Sequence, residues 1–316
     1  MDYRKAVVRC AAAISLGLTI HVGAACATPE IESLKNSKVD ETLSDDQRPE
    51  AVPLPREDRT QDQIEDMRRQ FRTLNPDIPD VTPKSSDQRR QALGVPVKIA
   101  DPNAQAPYWS AGKLEFKKPD GKIYGCSGQF VGDKVILTAA HCVINPYTGA
   151  WNSSFVFYRA SSDHNYAQKV GWRCISVYRP FFGPNRTDAY DYAFILTDVA
   201  STKPPLSMVE GTPASDAITA IGYPGKYERG KYLYKVDGKW IGAAGGIATM
   251  SHNPLEHGAS GGAWFANFEE GGDEGKNQVV SINSHAGGGD AEENGPLFTG
   301  DTTSLRNYVS GGGCMN

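Results

Sequence analysis

The chain has 316 residues, with 33 Lys and Arg against 37 Asp and Glu for a formal net charge of −4. That length leaves room for about two domains, and a charge so close to balance gives no electrostatic ground for binding nucleic acid or an anionic membrane. The elements below are taken in chain order.

Arg4, Lys5 and Arg9 precede an apolar stretch from Cys10 to Ile20, and small residues then run to Ala25-Cys26-Ala27. This is the pattern of a secretory signal peptide over residues 1–27, cleaved after Ala27. The apolar stretch falls short of the ~20 residues that span a bilayer, so no stable membrane association is expected. A lipid anchor on Cys26 is disfavoured by Gly23, which stands where such signals usually carry leucine. The expected location is extracellular or periplasmic.

Residues 28–106 are rich in Asp, Glu, Arg, Gln, Ser and Pro, poor in aromatics and free of cysteine. Such a composition is poor material for a packed core, and the segment reads as a largely irregular propeptide or linker. One stretch differs: Thr60-Gln61-Asp62-Gln63 fits a capping box. Ile64, Met67, Phe71 and Leu74 follow at helical spacing, predicting a short amphipathic helix near 60–74 that Asn75-Pro76 ends. Docked on the rest of the chain, it would inhibit it or assist its folding; undocked, it would be a marginal helix. Arg89-Arg90 offers a processing site.

From 107 to 316 the pattern is all-β. Short runs such as Lys113–Phe116, Ser127–Val131, Phe155–Tyr158, Ala217–Ile221 and Gln278–Ile282 are separated by Gly, Pro, Asn and Asp. This spacing suggests barrels or a sandwich, and the lack of strand–helix alternation argues against a doubly wound sheet. Asp301–Val309 predicts a short C-terminal helix. With Cys10 and Cys26 removed, Cys126, Cys142, Cys174 and Cys314 remain. Cys126 with Cys142 would staple two adjoining strands; Cys174 then pairs with Cys314 by elimination, or both stay unpaired. No Cys-x-x-Cys or His-x-x-x-His spacing predicts a zinc site, so no metal is expected.

Three positions carry chemistry. His141 follows the apolar run Val135-Ile136-Leu137 beside a half-cystine, Asp191 opens the apolar strand Tyr192–Leu196, and Ser260 sits in Gly258-Ala259-Ser260-Gly261-Gly262. Each alone has a bland explanation as a core histidine, a turn aspartate or a flexible loop; in this order and context they make a triad. A serine hydroxyl is a weak nucleophile at neutral pH and needs a base, His141, within hydrogen-bond reach. Asp191 would hold the other ring nitrogen, and the N–H groups of Gly258 and Ser260 would receive the developing oxyanion.

Cys126–Val131 and Val135–Cys142 resemble the first-barrel core of trypsin-like serine peptidases, and Asp191-Tyr192-Ala193 resembles their carboxylate segment. Ile221-Gly222-Tyr223-Pro224-Gly225 is similar to a segment of the bacterial glutamyl endopeptidase branch. The likeness runs from about Tyr108 to Val309. It implies two six-stranded antiparallel β-barrels with the triad between them, endopeptidase activity on protein or peptide substrates, no organic cofactor, and synthesis as a precursor with its own propeptide as partner. One position departs: Ala259 stands where the trypsin branch carries the aspartate that pairs with a newly formed α-amino group. Activation by that ion pair is not expected; either propeptide removal acts another way or the pocket is preformed.

By the same resemblance the primary specificity pocket has its base near Pro254 and Leu255 and walls from Asn283–Ala286 and Pro296–Thr299. Pro254 replaces the aspartate that selects Lys or Arg, so strict trypsin specificity is not expected. His257 and His285 are candidates to bind an acidic side chain, and Ser284 to pair its carbonyl with the substrate backbone. Glu256 would favour basic substrates if it faced the pocket; Asp290, Glu292 and Glu293 are expected to be solvated. Two alternatives stand beside this reading. An α/β-hydrolase esterase needs its acid and histidine after the serine, and only His285 follows Ser260. A protease-fold binding protein with impaired catalysis is the other.

Overall fold

A computed structural model of the chain describes residues 28–36, 51–55, 58–81, 94–272, 275–287 and 291–316; the expected signal peptide and Arg89-Arg90 lie outside these residues. The leading segment supplies strands β1 (Ile31–Lys35) and β2 (Val52–Pro53), helix α1 (Gln61–Leu74) and strand β3 (Val97–Lys98). The capping box forms: the Gln63 N–H donates to Thr60 Oγ1 at 3.2 Å, and the Thr60 N–H donates to Gln63 Oε1 at 2.9 Å. Ile64, Met67 and Phe71 of the predicted stripe are buried, whereas Leu74 is left 44% exposed at the end of the helix.

The first barrel is β4 (Ala111–Lys117), β5 (Ile123–Gly132), β6 (Val135–Thr138), β7 (Ser153–Arg159), β8 (Gln168–Val170), β9 (Trp172–Tyr178) and β10 (Ala193–Thr197), paired in the order β9-β10-β6-β5-β4-β7-β8. Only Gly171 separates β8 from β9, so the two ends of the sheet are one continuous strand and a six-stranded barrel closes. The second barrel follows with β11 (Ala217–Gly222), β12 (Tyr234–Ala244), β13 (Ile247–Ser251), β14 (Ala263–Ala266), β15 (Gln278–Ile282), β16 (His285–Ala286) and β17 (Glu293–Pro296), in the order β15-β14-β11-β12-β13-β17-β16. It closes the same way, with β15 running into β16 through Asn283-Ser284.

Helix α2 (Gly300–Ser310) ends the chain. It buries Thr302, Leu305 and Val309 and is held to the first barrel by Arg306 Nε donating to the Val131 carbonyl at 2.9 Å. Both disulfides form: Cys126–Cys142 ties β5 to the turn after β6, and Cys174–Cys314 ties β9 to the C-terminal residues. A strand–helix alternating sheet of the esterase kind is absent from the described residues.

The leading segment is the main departure from expectation. It has no core of its own, as its composition predicts, yet Leu54, Met67 and Phe71 join the same hydrophobic cluster as the barrel residues. Strand β1 extends the first sheet beside β9, and β3 extends the second beside β12. The few apolar residues suffice because they lie on one helical face and share buried partners supplied by the body, such as Tyr190, whose ring centroid is 5.8 Å from that of Phe71. Strand β2 runs parallel to β5, whereas the other strand pairs are antiparallel.

Candidate active site

His141 lies in the helical turn Ala140–Cys142 that ends β6, and Asp191 follows the turn Asp188–Tyr190 that leads into β10. Strands β6 and β10 pair with Ala193 opposite Thr138. The imidazole and the carboxylate therefore emerge at the same end of neighbouring strands, although 50 residues separate them in sequence. His141 Nδ1 is 2.7 Å from Asp191 Oδ2, and the His141 backbone N–H donates to Oδ1 at 2.9 Å. The Ser284 hydroxyl donates to Oδ2 as well.

Burial pulls the Asp191 carboxyl up, but the His141 charge and these hydrogen bonds outweigh it and hold the group below the usual carboxylate range. Burial likewise opposes a charge on His141, and the neighbouring Asp191 more than offsets it, so the imidazole is raised above its ordinary value. With Nδ1 engaged by the carboxylate, the neutral ring carries its proton there and leaves Nε2 as the acceptor. Nε2 is buried and makes no hydrogen bond among the described residues.

Ser260 comes from the other barrel, in the turn between β13 and β14. Gly258 (φ +86°) and Gly261 (φ +83°) both occupy the left-handed region, where a side chain is strained, and this gives the turn its shape. Two links stitch it to β5 and a third to the turn after β6. The Ser127 hydroxyl donates to the Gly258 carbonyl at 2.9 Å, the Ser127 N–H donates to the Ser260 carbonyl at 2.8 Å, and that carbonyl lies 4.0 Å from Cys142 Sγ. Cys142 is next to His141, so the disulfide and Ser127 bring the serine turn and the imidazole to one junction between the barrels. The N–H groups of Gly258 and Ser260 donate to no protein acceptor among the described residues. The two sulfurs near the His141 ring belong to the Cys126–Cys142 disulfide, so they offer no thiolate to a metal.

Asn283, which sequence reasoning placed only in a pocket wall, organises the turn from beneath. Its Nδ2 donates to the carbonyls of Ile221 at 2.9 Å and Ala259 at 3.1 Å, while its Oδ1 accepts from Trp264 Nε1 at 2.7 Å and Asn253 Nδ2 at 2.9 Å. Its backbone carbonyl accepts from the Gly261 N–H at 2.8 Å. The neutral Ala259 thus sits in a turn tied by a buried, mutually satisfied amide network, with no need of an ion pair at that place. No local motif announces such a role, because an asparagine in a strand connection has no distinctive neighbours.

The expected specificity residues divide. Leu255 is fully buried in the second-barrel core, Pro254 is half-buried, and His257 is exposed. Glu256 pairs with Lys226 at 2.7 Å. His285 is buried at 3% exposure, with Nδ1 3.0 Å from Ser284 Oγ and 3.6 Å from Asp188 Oδ2. Burial first, with Arg59 nearby, pushes its imidazole down to about 4. With the leading segment docked, burial thus favours its neutral form. Glu293 is also buried, carried inward by β17 between β13 and β16, which corrects the expectation of a solvated acidic loop there. Asp290 lies outside the described residues.

The leading segment crosses this site. The Leu54 N–H donates to the Gly125 carbonyl at 2.9 Å, and Pro53 packs against Gly225 and Gly258. Leu54, Pro55 and Arg59 line one cleft together with His141, Asp191, Ser284 and His285. The space left there is about 60 Å³, less than half of the ~150 Å³ cavity that admits benzene.

The trypsin family model matches residues 100–309. Solved structures with the same fold include the protease Anisep from Arthrobacter nicotinovorans, with a TM-score of 0.56 at 20% identity over 69% of this chain and 100% of that one. A Glu endopeptidase in complex with MPD has a TM-score of 0.59 at 22% identity over 68% and 96%. The thermostable serine protease AL20 from an extremophilic microorganism has 0.53 at 23% over 64% and 97%. No curated protein matches in sequence. Two closed antiparallel barrels with a histidine, an aspartate and a serine at their junction define the class of chymotrypsin-fold serine peptidases. The chain belongs to the trypsin family and is a serine endopeptidase of trypsin-like fold.

Proposed function

We propose that the protein is an exported endopeptidase, made as a precursor, that cuts peptide bonds through an acyl-enzyme on Ser260. The observation that carries this reading is the His141 Nδ1 to Asp191 Oδ2 contact at 2.7 Å. It leaves Nε2 as the base. His141 takes the Ser260 proton as Oγ attacks the carbonyl, and Asp191 stabilises the imidazolium. The unengaged N–H groups of Gly258 and Ser260 receive the oxyanion; one such donor is worth about 3–4 kcal/mol in the transition state. The imidazolium then returns its proton to the leaving amine, and water repeats the sequence to free the acid.

The leading segment, residues 28–106, acts as the propeptide in this reading. Pro53 lies over the turn whose N–H groups would bind the oxyanion, and Leu54, Pro55 and Arg59 occupy the cleft beside the base. Strand β2 lies beside β5 in the parallel sense. Since Asn283 already ties the serine turn, maturation requires clearing the cleft rather than rebuilding it. Primary specificity follows Pro254 in lacking the carboxylate that selects Lys or Arg.

Rates of peptide hydrolysis by processed protein, followed against pH, test the reading. Because Asp191 raises the imidazole, activity should rise along a limb centred above the ordinary histidine value of about 6.5. A rate independent of pH across that range would remove His141 from the mechanism.

A further inference from the structure

A second acidic group lies beside the catalytic pair, and the mechanism above does not use it. Asp188 begins the turn that delivers Asp191, and its side chain is 1% exposed. Its two oxygens are held by different cations. Arg186, from the barrel body, donates from Nη1 to Oδ1 at 3.1 Å and is 9% exposed. Arg59, from the leading segment, donates from Nε to Oδ2 at 2.9 Å and is 6% exposed. Nη1 of Arg59 also reaches the Tyr147 hydroxyl at 3.3 Å, and His285 Nδ1 stands 3.6 Å from the same Oδ2.

This arrangement is a built site for a cationic side chain. Long charged side chains are rarely buried unless paired, and Arg59 is buried only because a carboxylate, a phenol and the cleft wall receive it. Its position is fixed from behind: Thr60 is the N-cap of α1, and the Thr187 hydroxyl donates to the Met67 carbonyl at 3.0 Å, anchoring that helix to the residue before Asp188. Arg186 belongs to the body and stays when the segment leaves; Arg59 does not. Its departure would leave Oδ2 a buried acceptor without its charged donor, behind the cleft that Arg59 itself lines together with His141, Asp191 and Ser284. Such a group favours any ligand that restores the charge-assisted bond.

We propose that the Asp188 pocket is a subsite for an arginine or lysine side chain of the peptide substrate, and that Arg59 fills it in the precursor as an internal stand-in. The subsite is distinct from the primary pocket around Pro254, so the basic residue it selects is not the one whose carbonyl is attacked. It lies a short distance away along the acyl side, where the Ser284-His285 strand would carry the peptide. This rests on the peptidase reading above.

The test uses the full chain, its Arg59→Ala variant and processed protein, with two readouts. The first is binding, followed as thermal stabilisation by acetyl-arginine amide against acetyl-citrulline amide, which has nearly the same shape without the charge. The arginine amide should stabilise Arg59→Ala at concentrations at least tenfold lower than the citrulline amide needs. It should stabilise neither the native chain, whose pocket is filled, nor the Arg59→Ala/Asp188→Asn double variant. Equal responses to the two amides in Arg59→Ala would overturn the subsite. The second is hydrolysis, by protein cleared of its leading segment and so of Arg59, of peptides that differ only by arginine or citrulline near the scissile bond. The arginine peptides should be cut at least tenfold faster in kcat/KM at one position, and a ratio near one at every position would overturn the proposal. Selective binding with no hydrolysis of any peptide would leave the subsite standing and reject the peptidase reading instead.

Discussion

The barrels and the segment that precedes them solve the problem of burial differently. Each barrel closes on itself, one hydrophobic cluster runs through both, and they meet at a junction held by the Ser127 bonds. The segment has two short strands, one longer one and a helix, and it buries Leu54, Met67 and Phe71 in the cluster built by the barrels. The proposed catalytic groups sit on barrel elements, and the segment touches the turn before Asp191 through the Arg59–Asp188 pair. If the segment is the propeptide proposed above, its removal should leave the barrel-borne site in place.

The sharpest break between the two regions should come from chemistry that belongs to the barrels alone. Ser260→Ala in processed protein should cost roughly 10⁴- to 10⁶-fold in kcat while circular dichroism and the melting temperature stay near those of the parent. Asp191→Asn, which turns the imidazole to the wrong tautomer, should cost roughly 10⁴-fold; a loss of only a few-fold would mean the 2.7 Å contact is structural. On the other side, Phe71→Ala removes the largest side chain by which α1 is docked, worth about 3–5 kcal/mol. Peptide hydrolysis by the uncleaved chain should then rise by about a hundredfold or more, with faster proteolysis of residues 58–81; unchanged latency would show that the segment is not what closes the cleft.

The smallest effect concerns His285. Its folded-state imidazole is lowered to about 4, so as pH falls below the unfolded value of about 6.5 the unfolded chain takes up a proton that the fold refuses. Stability is thus lost from pH 6.5 downward until about pH 4, by at most about 3 kcal/mol for this group. Denaturant titrations of His285→Gln should show a shallower decline over that window than the native chain. The same decline in both would place the acid sensitivity elsewhere.

Much of this was legible in the residues because the family's catalytic segments are local words: an apolar strand ending in His141-Cys142, a carboxylate opening Tyr192–Leu196, and a glycine-bounded Ser260. The C-terminal helix, the pairing of Cys126 with Cys142, and the capped helix behind Thr60 were equally readable, since each depends on neighbours within a few positions. What escaped was the long-range part. Arg59 and Asp188 are 129 residues apart and Ser127 and Gly258 are 131 apart, and nothing in either partner's neighbourhood names the other. The composition of residues 28–106 could not say that Leu54, Met67 and Phe71 would be buried in the cluster of the barrels. His285 misled for a related reason: its charge state depends on being enclosed, which its sequence context does not reveal.

The central claim is that Ser260 is a nucleophile activated by His141. The most direct measurement is mass spectrometry of processed protein after exposure to a fluorophosphonate, with His141→Ala treated alongside. The account predicts one adduct, located on the peptide containing Ser260, and its slowing by orders of magnitude in His141→Ala. No adduct on Ser260, or labelling that proceeds at the same rate without the imidazole, would contradict it.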